Sequence, residues 1–183
     1  MELIRITLCV LIVAGVSGFL FSGAATPEST LETVNNVDLE RYMGRWYEIA
    51  KIPNRFQRKC ARDITATYVP RADGNVDVIN RCVADDGEEV IARGLAKVVD
   101  KQTRAKLKVS FVRLLGVRLF WGKYWIIGLD PEYKWVLVGE PKRKYGWILA
   151  REPRLTPEQE KKAFTLLRDR GYDPDRFVTT RHE

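Results

Sequence analysis

The feature that most limits the fold of this chain is a series of short runs, starting at Trp46, in which apolar and polar residues alternate with a period of two. Such alternation is typical of β-strands that have one buried face. Asp-Gly pairs and short polar reversals separate the runs, and these are residues of hairpin turns. The sequence therefore predicts eight antiparallel strands, over residues 46–51, 64–70, 75–83, 89–100, 105–113, 124–130, 135–140 and 145–151.

Eight strands joined by hairpins favour a closed barrel, because closure removes both exposed sheet edges. One helix is predicted after the strands, with Thr156 as N-cap, Pro157 at the first position, Gln159 three residues after the cap and Gly171 as its end. Its apolar residues share one face. The predicted fold is all-β, an eight-stranded antiparallel up-and-down barrel with a C-terminal α-helix packed outside.

The length of 183 residues suits one domain with a full core. Residues 6–21 carry no charge and small residues follow them, which predicts a signal peptide over 1–25. An uncleaved membrane anchor is the alternative, although this run is shorter than the roughly twenty residues that span a bilayer. Residues 26–36 are predicted to be a flexible entry segment and 37–183 the folded domain. The protein is therefore expected to be exported.

Two cysteines, Cys60 and Cys82, follow the predicted signal peptide, and a single disulfide is the economical interpretation in an oxidising compartment. Two buried free thiols are the alternative. The one histidine, His182, lies next to the C-terminus and is expected to fray. Catalysis by a Ser-His-Asp or Cys-His arrangement is therefore not expected. No metal site and no cofactor are expected either.

Alternation also predicts which side chains face the inside of the barrel. Small residues, Ala92, Gly94 and Ala96, recur on the inward face of the fourth strand and leave volume for one small ligand. The alternative is that bulky neighbours such as Phe111 or Trp147 fill this volume. The inward residues expected to contact a ligand are Val78, Asn80, Gly94, Phe111, Tyr124 and Trp147.

Three sequence regions, "GRW" at Gly44, "LDPEY" at Leu129 and "WILAREP" at Trp147, occur in the order and spacing of the lipocalin signature. The chain resembles this family over residues 37–177. Longer strings such as "YMGRWYEIAKIPNRFQRKC" are similar to the bacterial outer-membrane lipocalin branch, which also includes apolipoprotein D. The resemblance implies a periplasmic or outer-membrane-associated protein in a bacterium. Lipid anchoring is not evident, because Cys9 lies inside the apolar run and not after it.

The resemblance assigns structural roles to five residues at one closed end of the barrel: Gly44, Trp46, Asp130, Tyr133 and Arg151. The guanidinium of Arg151 is expected to stack on the Trp46 indole and to reach backbone carbonyls. Asp130 and Tyr133 are expected to fix a turn at the same end.

The opposite, open end then carries basic loops and an apolar hairpin tip, "LLGVRLFWG". Such a tip favours contact with an anionic membrane. A lid over the cavity and a dimer contact are the alternatives. The residues expected at this rim, facing a membrane or a ligand headgroup, are Arg113, Arg118, Trp121, Lys123, Lys142 and Arg143.

Three functions compete at this point. The favoured one is a non-enzymatic binding protein that stores or transports a hydrophobic ligand, a fatty acid or a lysophospholipid, as a monomer or weak homodimer. A lipocalin-fold enzyme acting on a lipid-like substrate is the alternative. Nucleic-acid binding is not expected despite a net charge of +7, because an exported protein meets little nucleic acid.

Overall fold

The computed structural model of the protein describes residues 30–183, and the predicted signal peptide lies outside this range. The strands are β1 (Gly44–Lys51), β2 (Arg62–Pro70), β3 (Val76–Val83), β4 (Glu89–Val98), β5 (Lys106–Ser110), β6 (Val112–Leu114), β7 (Val117–Leu119), β8 (Gly122–Leu129), β9 (Trp135–Gly139), β10 (Gly146–Ala150) and β11 (Val178–Thr179). The helices are α1 (Leu39–Tyr42) and α2 (Pro157–Asp169), and two 3-10 segments cover Arg55–Gln57 and Pro174–Arg176.

Eight of these strands form the barrel: β1 to β5, β8, β9 and β10. Neighbours in the barrel are antiparallel, and β10 pairs with β1 to close the sheet. The fold prediction is confirmed. Helix α2 begins at the predicted cap, where the Thr156 hydroxyl accepts from the Gln159 backbone N–H and the Gln159 side chain accepts from the Thr156 N–H.

The predicted fifth strand is wrong at its end, since β5 stops at Ser110 and does not continue to residue 113. The alternating pattern continues because a separate hairpin, β6–β7, follows at once, but its strands pair with each other and not with β4. Leu115 and Gly116 form its turn, both with positive φ. The hairpin therefore projects from the barrel between β5 and β8.

Two apolar clusters lie on the two faces of the sheet. The inner cluster surrounds Trp46, Ile126 and Val138, all fully buried. The outer cluster lies between the sheet and α2, whose Ala163 and Leu167 are fully buried. The helix therefore packs on the outside of the barrel, and the inner cluster fills part of its inside.

The chain before the barrel is not a flexible entry over the part that the structure describes. Leu31 is buried, and the Val34 N–H donates to the Ile126 carbonyl at 3.0 Å. Glu32 forms an ion pair with Arg170 at 2.8 Å. These contacts hold residues 31–37 against the barrel, because the apolar residues Leu31 and Val37 find a place in the two clusters.

The C-terminal residues are ordered between β1 and β2, where these two strands diverge. The Thr180 N–H donates to the Ile49 carbonyl at 2.9 Å, and the Asp63 N–H donates to the Arg181 carbonyl at 2.9 Å. The expectation that His182 frays is wrong. Its side chain is 5% exposed, and a ring nitrogen lies 2.7 Å from the Glu48 carbonyl oxygen.

Candidate ligand-binding barrel

One end of the barrel is closed by Arg151, which follows β10. Its guanidinium lies 3.9 Å from the centre of the Trp46 ring. It donates to the carbonyls of Arg41 at 2.6 Å, Met43 at 2.8 Å and Arg45 at 2.7 Å. One cation thus binds three backbone acceptors and an aromatic face, and partial burial lowers its pKa.

Gly44 lets the chain enter β1 beside this guanidinium. Its φ is +91°, and an added Cβ would lie 3.4 Å from an Arg151 nitrogen. At the same end the Asp130 carboxylate accepts from the backbone N–H groups of Glu132 at 3.0 Å and Lys134 at 3.1 Å. The Tyr133 hydroxyl accepts from the Asp38 N–H at 2.8 Å. This turn therefore holds the N-cap of α1 against the barrel end.

Three tyrosine hydroxyls meet on the floor of the barrel, above this closed end. The Tyr124 hydroxyl lies 2.7 Å from that of Tyr42 and 2.8 Å from that of Tyr68. Burial raises the pKa of Tyr68 to about 12 and the pKa values of Tyr42 and Tyr124 well above 10. The phenols therefore stay neutral, and their hydroxyls hold one another in place.

A buried polar cluster lies on the wall higher in the barrel, and sequence reasoning missed it. The Glu48 carboxylate is 4% exposed and forms an ion pair with Lys51 at 2.9 Å. It also accepts from the Gln57 amide at 2.5 Å and the Thr180 hydroxyl at 2.7 Å. Both carboxylate oxygens of Glu48 thus accept hydrogen bonds from protein donors, and the Lys51 ammonium balances the negative charge inside the barrel.

The sequence signal for this cluster was incomplete. Period-two alternation from Trp46 does place Glu48 on the inward face, and a charged residue there could have been noticed. Lys51, however, is three residues from Glu48, and alternation would turn it outward. A register shift between Glu48 and Ala50 brings both side chains inside.

Trp147 links this cluster to the first loop. Its indole N–H donates to the Gln57 side-chain oxygen at 3.2 Å, and its ring stacks on Tyr145 at 6.3 Å between centres. The disulfide between Cys60 and Cys82 is present as predicted and joins the same loop to β3. The loop is therefore held beside the open end by a covalent bond and by hydrogen bonds.

Phe111 occupies the space beside Gly94 at the open end. A Cβ added to Gly94 would lie 2.7 Å from a carbon of the Phe111 ring. The expected void at Gly94 is therefore filled, by the bulky neighbour that the alternative interpretation named. Phe111 itself is 39% exposed, so its ring lies at the mouth and not in a sealed core.

Accessible surface inside the barrel increases from the floor toward the mouth. Val78 is buried, but the inward residues Asn80 and Trp147 are only partly buried, and Ala92 is exposed. The Asn80 side-chain oxygen finds no hydrogen-bond partner within residues 30–183. The six residues predicted to contact a ligand thus all lie along the inner wall, with Tyr124 on its floor.

The residues predicted at the rim do not form one group. Arg113 and Lys142 are exposed. The Arg118 guanidinium donates to the Ser110 carbonyl at 3.0 Å. Arg143 is turned toward the end of α2, where it donates to the Arg170 carbonyl at 2.8 Å because the last carbonyls of a helix lack internal partners.

Trp121 and Lys123 lie on the outer face of the barrel instead of at the mouth. The Trp121 ring is 5.2 Å from the ammonium groups of both Lys97 and Lys108. Lys123 is 5.9 Å from the Trp125 ring. Sequence reasoning placed these residues in a loop, because it did not predict where β8 begins.

The tip of the β6–β7 hairpin is exposed in this conformation. Leu115 is 96% exposed and Leu114 59%. The hairpin base is fixed, since the Ser110 hydroxyl donates to the Leu119 carbonyl and also lies 3.3 Å from the Val112 carbonyl. The tip side chains are therefore not packed into the barrel as a lid.

Two further properties concern the described residues as a whole. Within residues 30–183 no helix is both long and apolar enough to cross a bilayer. The same part of the chain holds no group of three or more histidine, cysteine or acidic side chains placed to bind a metal ion.

Comparison with known families matches residues 37–182 to the description "Lipocalin-like domain". Among characterised proteins, temperature-induced lipocalin-1 of Arabidopsis thaliana is 38% identical over 157 residues, covering 85% of this chain and 84% of its own. Outer membrane lipoprotein Blc of Escherichia coli is 38% identical over 171 residues, covering 92% and 93%. Mouse apolipoprotein D is 32% identical over 155 residues, covering 79% and 77%.

Solved structures support the same fold at lower identity. Insecticyanin of Manduca sexta superposes with a TM-score of 0.69 at 20% identity, covering 84% of this chain and 85% of its own. The amine-binding protein of Rhodnius prolixus, solved with tryptamine, gives 0.58 at 17% identity, covering 82% and 84%.

Proposed function

Because the chain belongs to the lipocalin family, whose barrels bind small hydrophobic molecules, we propose that it binds a fatty acid or a lysophospholipid inside the barrel. It stores or carries this lipid in connection with the bacterial envelope. The observation that carries the proposal is the gradient along the inner wall, from a sealed floor at Tyr68 to the half-exposed Phe111 at the mouth. An acyl chain suits an inner wall that is closed and apolar at one end and becomes more exposed toward the other.

Lys51 supports an acidic headgroup on that lipid. Its ammonium lies inside the upper barrel with a 15% exposed side chain, and within residues 30–183 its one ion pair is with Glu48. An ammonium has three donors, so a ligand carboxylate or phosphate could be received beside Glu48. Burial of the acyl chain supplies affinity, about 0.8 kcal/mol per methylene before costs.

Equilibrium binding of oleic acid and oleyl alcohol to the purified protein tests the proposal. We expect Ala92→Trp to abolish binding of both, because Ala92 faces inward at the mouth and an indole there obstructs entry. Ile91→Trp is the matched control, since the neighbouring Ile91 is exposed on the opposite face of the same strand. Equal affinities of the two variants would contradict binding inside the barrel.

The headgroup is tested by Lys51→Gln, which keeps a hydrogen-bond donor next to Glu48. We expect affinity for oleic acid to fall by about tenfold, with affinity for oleyl alcohol unchanged, because only the acid uses the charge. An unchanged β circular-dichroism spectrum shows that the variant folds. A parallel loss for acid and alcohol would assign Lys51 to structure.

The hairpin tip supports a second part of this proposal, which is contact with a membrane while the lipid is exchanged. Two-residue hairpin turns with positive φ usually carry Asn-Gly, whereas here Leu115, nearly fully exposed, holds a φ of +47° before Gly116. Such an apolar tip is unfavourable in water and suits the bilayer interface. Leu114→Ser with Leu115→Ser should reduce co-sedimentation with phospholipid vesicles, and unchanged binding would exclude the tip.

The alternative of a lipocalin-fold enzyme has a direct test. Turnover of an ester lipid by the purified protein would establish it in place of carriage.

A further inference from the structure

A row of lysines crosses three neighbouring strands on the outer face of the barrel. Lys97 on β4 is directly opposite Lys108 on β5, and Lys108 is directly opposite Lys123 on β8. Adjacent strands are about 4.8 Å apart, so three positive charges share one short line. Like charges in directly opposed positions destabilise a sheet.

Two tryptophans lie next to the lysines on this outer face. Trp121 lies beneath Lys97 and Lys108, each at 5.2 Å from the ring centre. Trp125 lies between Lys123 at 5.9 Å and Lys106 at 4.7 Å. Cation–π contact orients the ammonium groups without neutralising them.

The lysines of the row form no ion pair in the described part of the chain. None of the ion pairs formed within residues 30–183 includes Lys97, Lys108 or Lys123. Lys106 at the edge of the row does influence Asp100, whose pKa is lowered chiefly by the Thr103 hydroxyl and partly by this lysine. Within residues 30–183, these three ammonium groups therefore have no acidic side chain at ion-pair distance.

The row is continuous with the exposed hairpin. Ser110 follows Lys108 on the same outer face of β5 and is 1% exposed, because the hairpin base covers it. Trp121 joins the end of that hairpin to β8 and touches the row. The apolar tip at Leu114 and Leu115 therefore leaves the barrel on the side where the lysines lie.

We propose that this outer face of β4, β5 and β8, here named the lysine flank and defined by Lys97, Lys108, Lys123, Trp121 and Trp125, docks on an anionic phospholipid bilayer. The hairpin tip enters the headgroup region, the lysines contact lipid phosphates, and the barrel lies with this flank toward the surface. Uncompensated ammonium groups match a plane of negative headgroups, and tryptophan favours the interface between headgroups and acyl chains. An acidic protein would match the charge but not the exposed leucines.

Docking in this orientation would bring the barrel next to a supply of lipid, and this part of the proposal rests on the proposed function of lipid binding. Vesicle binding itself requires no cargo. The test therefore uses the unloaded protein in its exported form, without the predicted signal peptide.

Flotation with vesicles of phosphatidylcholine and phosphatidylglycerol measures the docking. We expect a triple variant, Lys97→Gln, Lys108→Gln and Lys123→Gln, to lose about 100-fold in partition, from about 1 kcal/mol for each basic residue near an anionic surface. Its residual binding should resemble binding of the parent to pure phosphatidylcholine. High salt should reduce binding of the parent and have little effect on the variant.

The matched control removes the same number of charges elsewhere, with Arg154→Gln, Lys161→Gln and Arg168→Gln at exposed positions on and just before α2. We expect it to bind almost as the parent does. Equal losses in the two triple variants would mean that net charge alone drives binding and would overturn the proposal.

A second measurement reports orientation. Brominated phospholipid in the vesicles should quench the tryptophan fluorescence of the parent, and Trp121→Phe with Trp125→Phe should remove most of that quenching. Quenching that survives in this variant would place another face on the membrane.

The following outcomes distinguish bilayer docking from cargo binding and from recognition of an acidic protein. If the flank variant still binds oleic acid but not vesicles, docking and cargo binding are distinct; if the parent docks without binding oleic acid, only the cargo proposal fails. If the flank variant floats like the parent but loses binding to polyglutamate, the flank recognises an acidic protein and the bilayer proposal is wrong.

Discussion

At the scale of single residues, the floor of the barrel depends on three phenols. Tyr42, Tyr68 and Tyr124 provide three hydroxyl donors, and two hydrogen bonds join them. Each phenol can remain buried only while it is protonated, because a buried phenolate would lose its hydration by water. The same burial that seals the floor therefore makes it sensitive to alkali.

We predict that Tyr124→Phe changes the pH dependence of stability. Unfolded tyrosines ionise near 10, whereas burial raises the pKa of Tyr68 to about 12 and of Tyr124 well above 10. The stabilising contribution is complete below pH 10 and is lost as the pH rises beyond it, by about 1.4 kcal/mol per pH unit for each phenol. Urea unfolding at increasing pH should show a shallower decline in the variant.

The control for this comparison is Leu107→Ala, which removes buried apolar surface and no titrating group. It should lower the free energy of unfolding at every pH and keep the slope of the parent. Identical alkaline slopes in the parent and Tyr124→Phe would show that Tyr124 ionises equally in both states.

At the scale of elements, the short β11 and the residues after it are part of the barrel wall. They fill the gap where β1 pairs with β2 only over Gly44 to Tyr47. They also deliver Thr180 to the buried Glu48 and His182 to the carbonyl of the same residue. The residues that follow this two-residue strand thus complete the polar cluster.

We predict that Thr180→Val lowers the free energy of unfolding by about 2 kcal/mol. Valine has the shape of threonine but no hydroxyl, so the buried Glu48 carboxylate loses one hydrogen bond. Thr179→Val is the matched control. Thr179 is exposed and adjacent, and its replacement should have little effect. Denaturant titration of both variants decides, and equal stabilities would mean that the C-terminal segment does not support Glu48.

At the scale of the whole molecule, the sequence predicted what local patterns encode. Period-two alternation gave the eight barrel strands, and the cap at Thr156 gave the start of α2. The signature residues predicted the contact of Arg151 with Trp46, which the structure confirms. Each of these depends on neighbours in the chain or on a recurrent family motif.

What the sequence did not predict depends on register. The inward turn of Lys51 needs an irregularity in β1, and the pairing of Lys108 with Lys123 needs β5 and β8 to align across an intervening hairpin. The contact of His182 with Glu48 joins residues 134 positions apart. No local pattern specifies these alignments, because they are set by packing of the complete barrel.

The pairing of β10 with β1 also implies an order of events. On one edge β1 pairs with β10, and on the other it pairs with β2 and, near its end, with β11. Until β10 has been synthesised, β1 has an open edge, and long-range pairing of this kind is slow. Closure of the barrel therefore has to follow synthesis of β10, and until then the nascent chain can aggregate through its first strand.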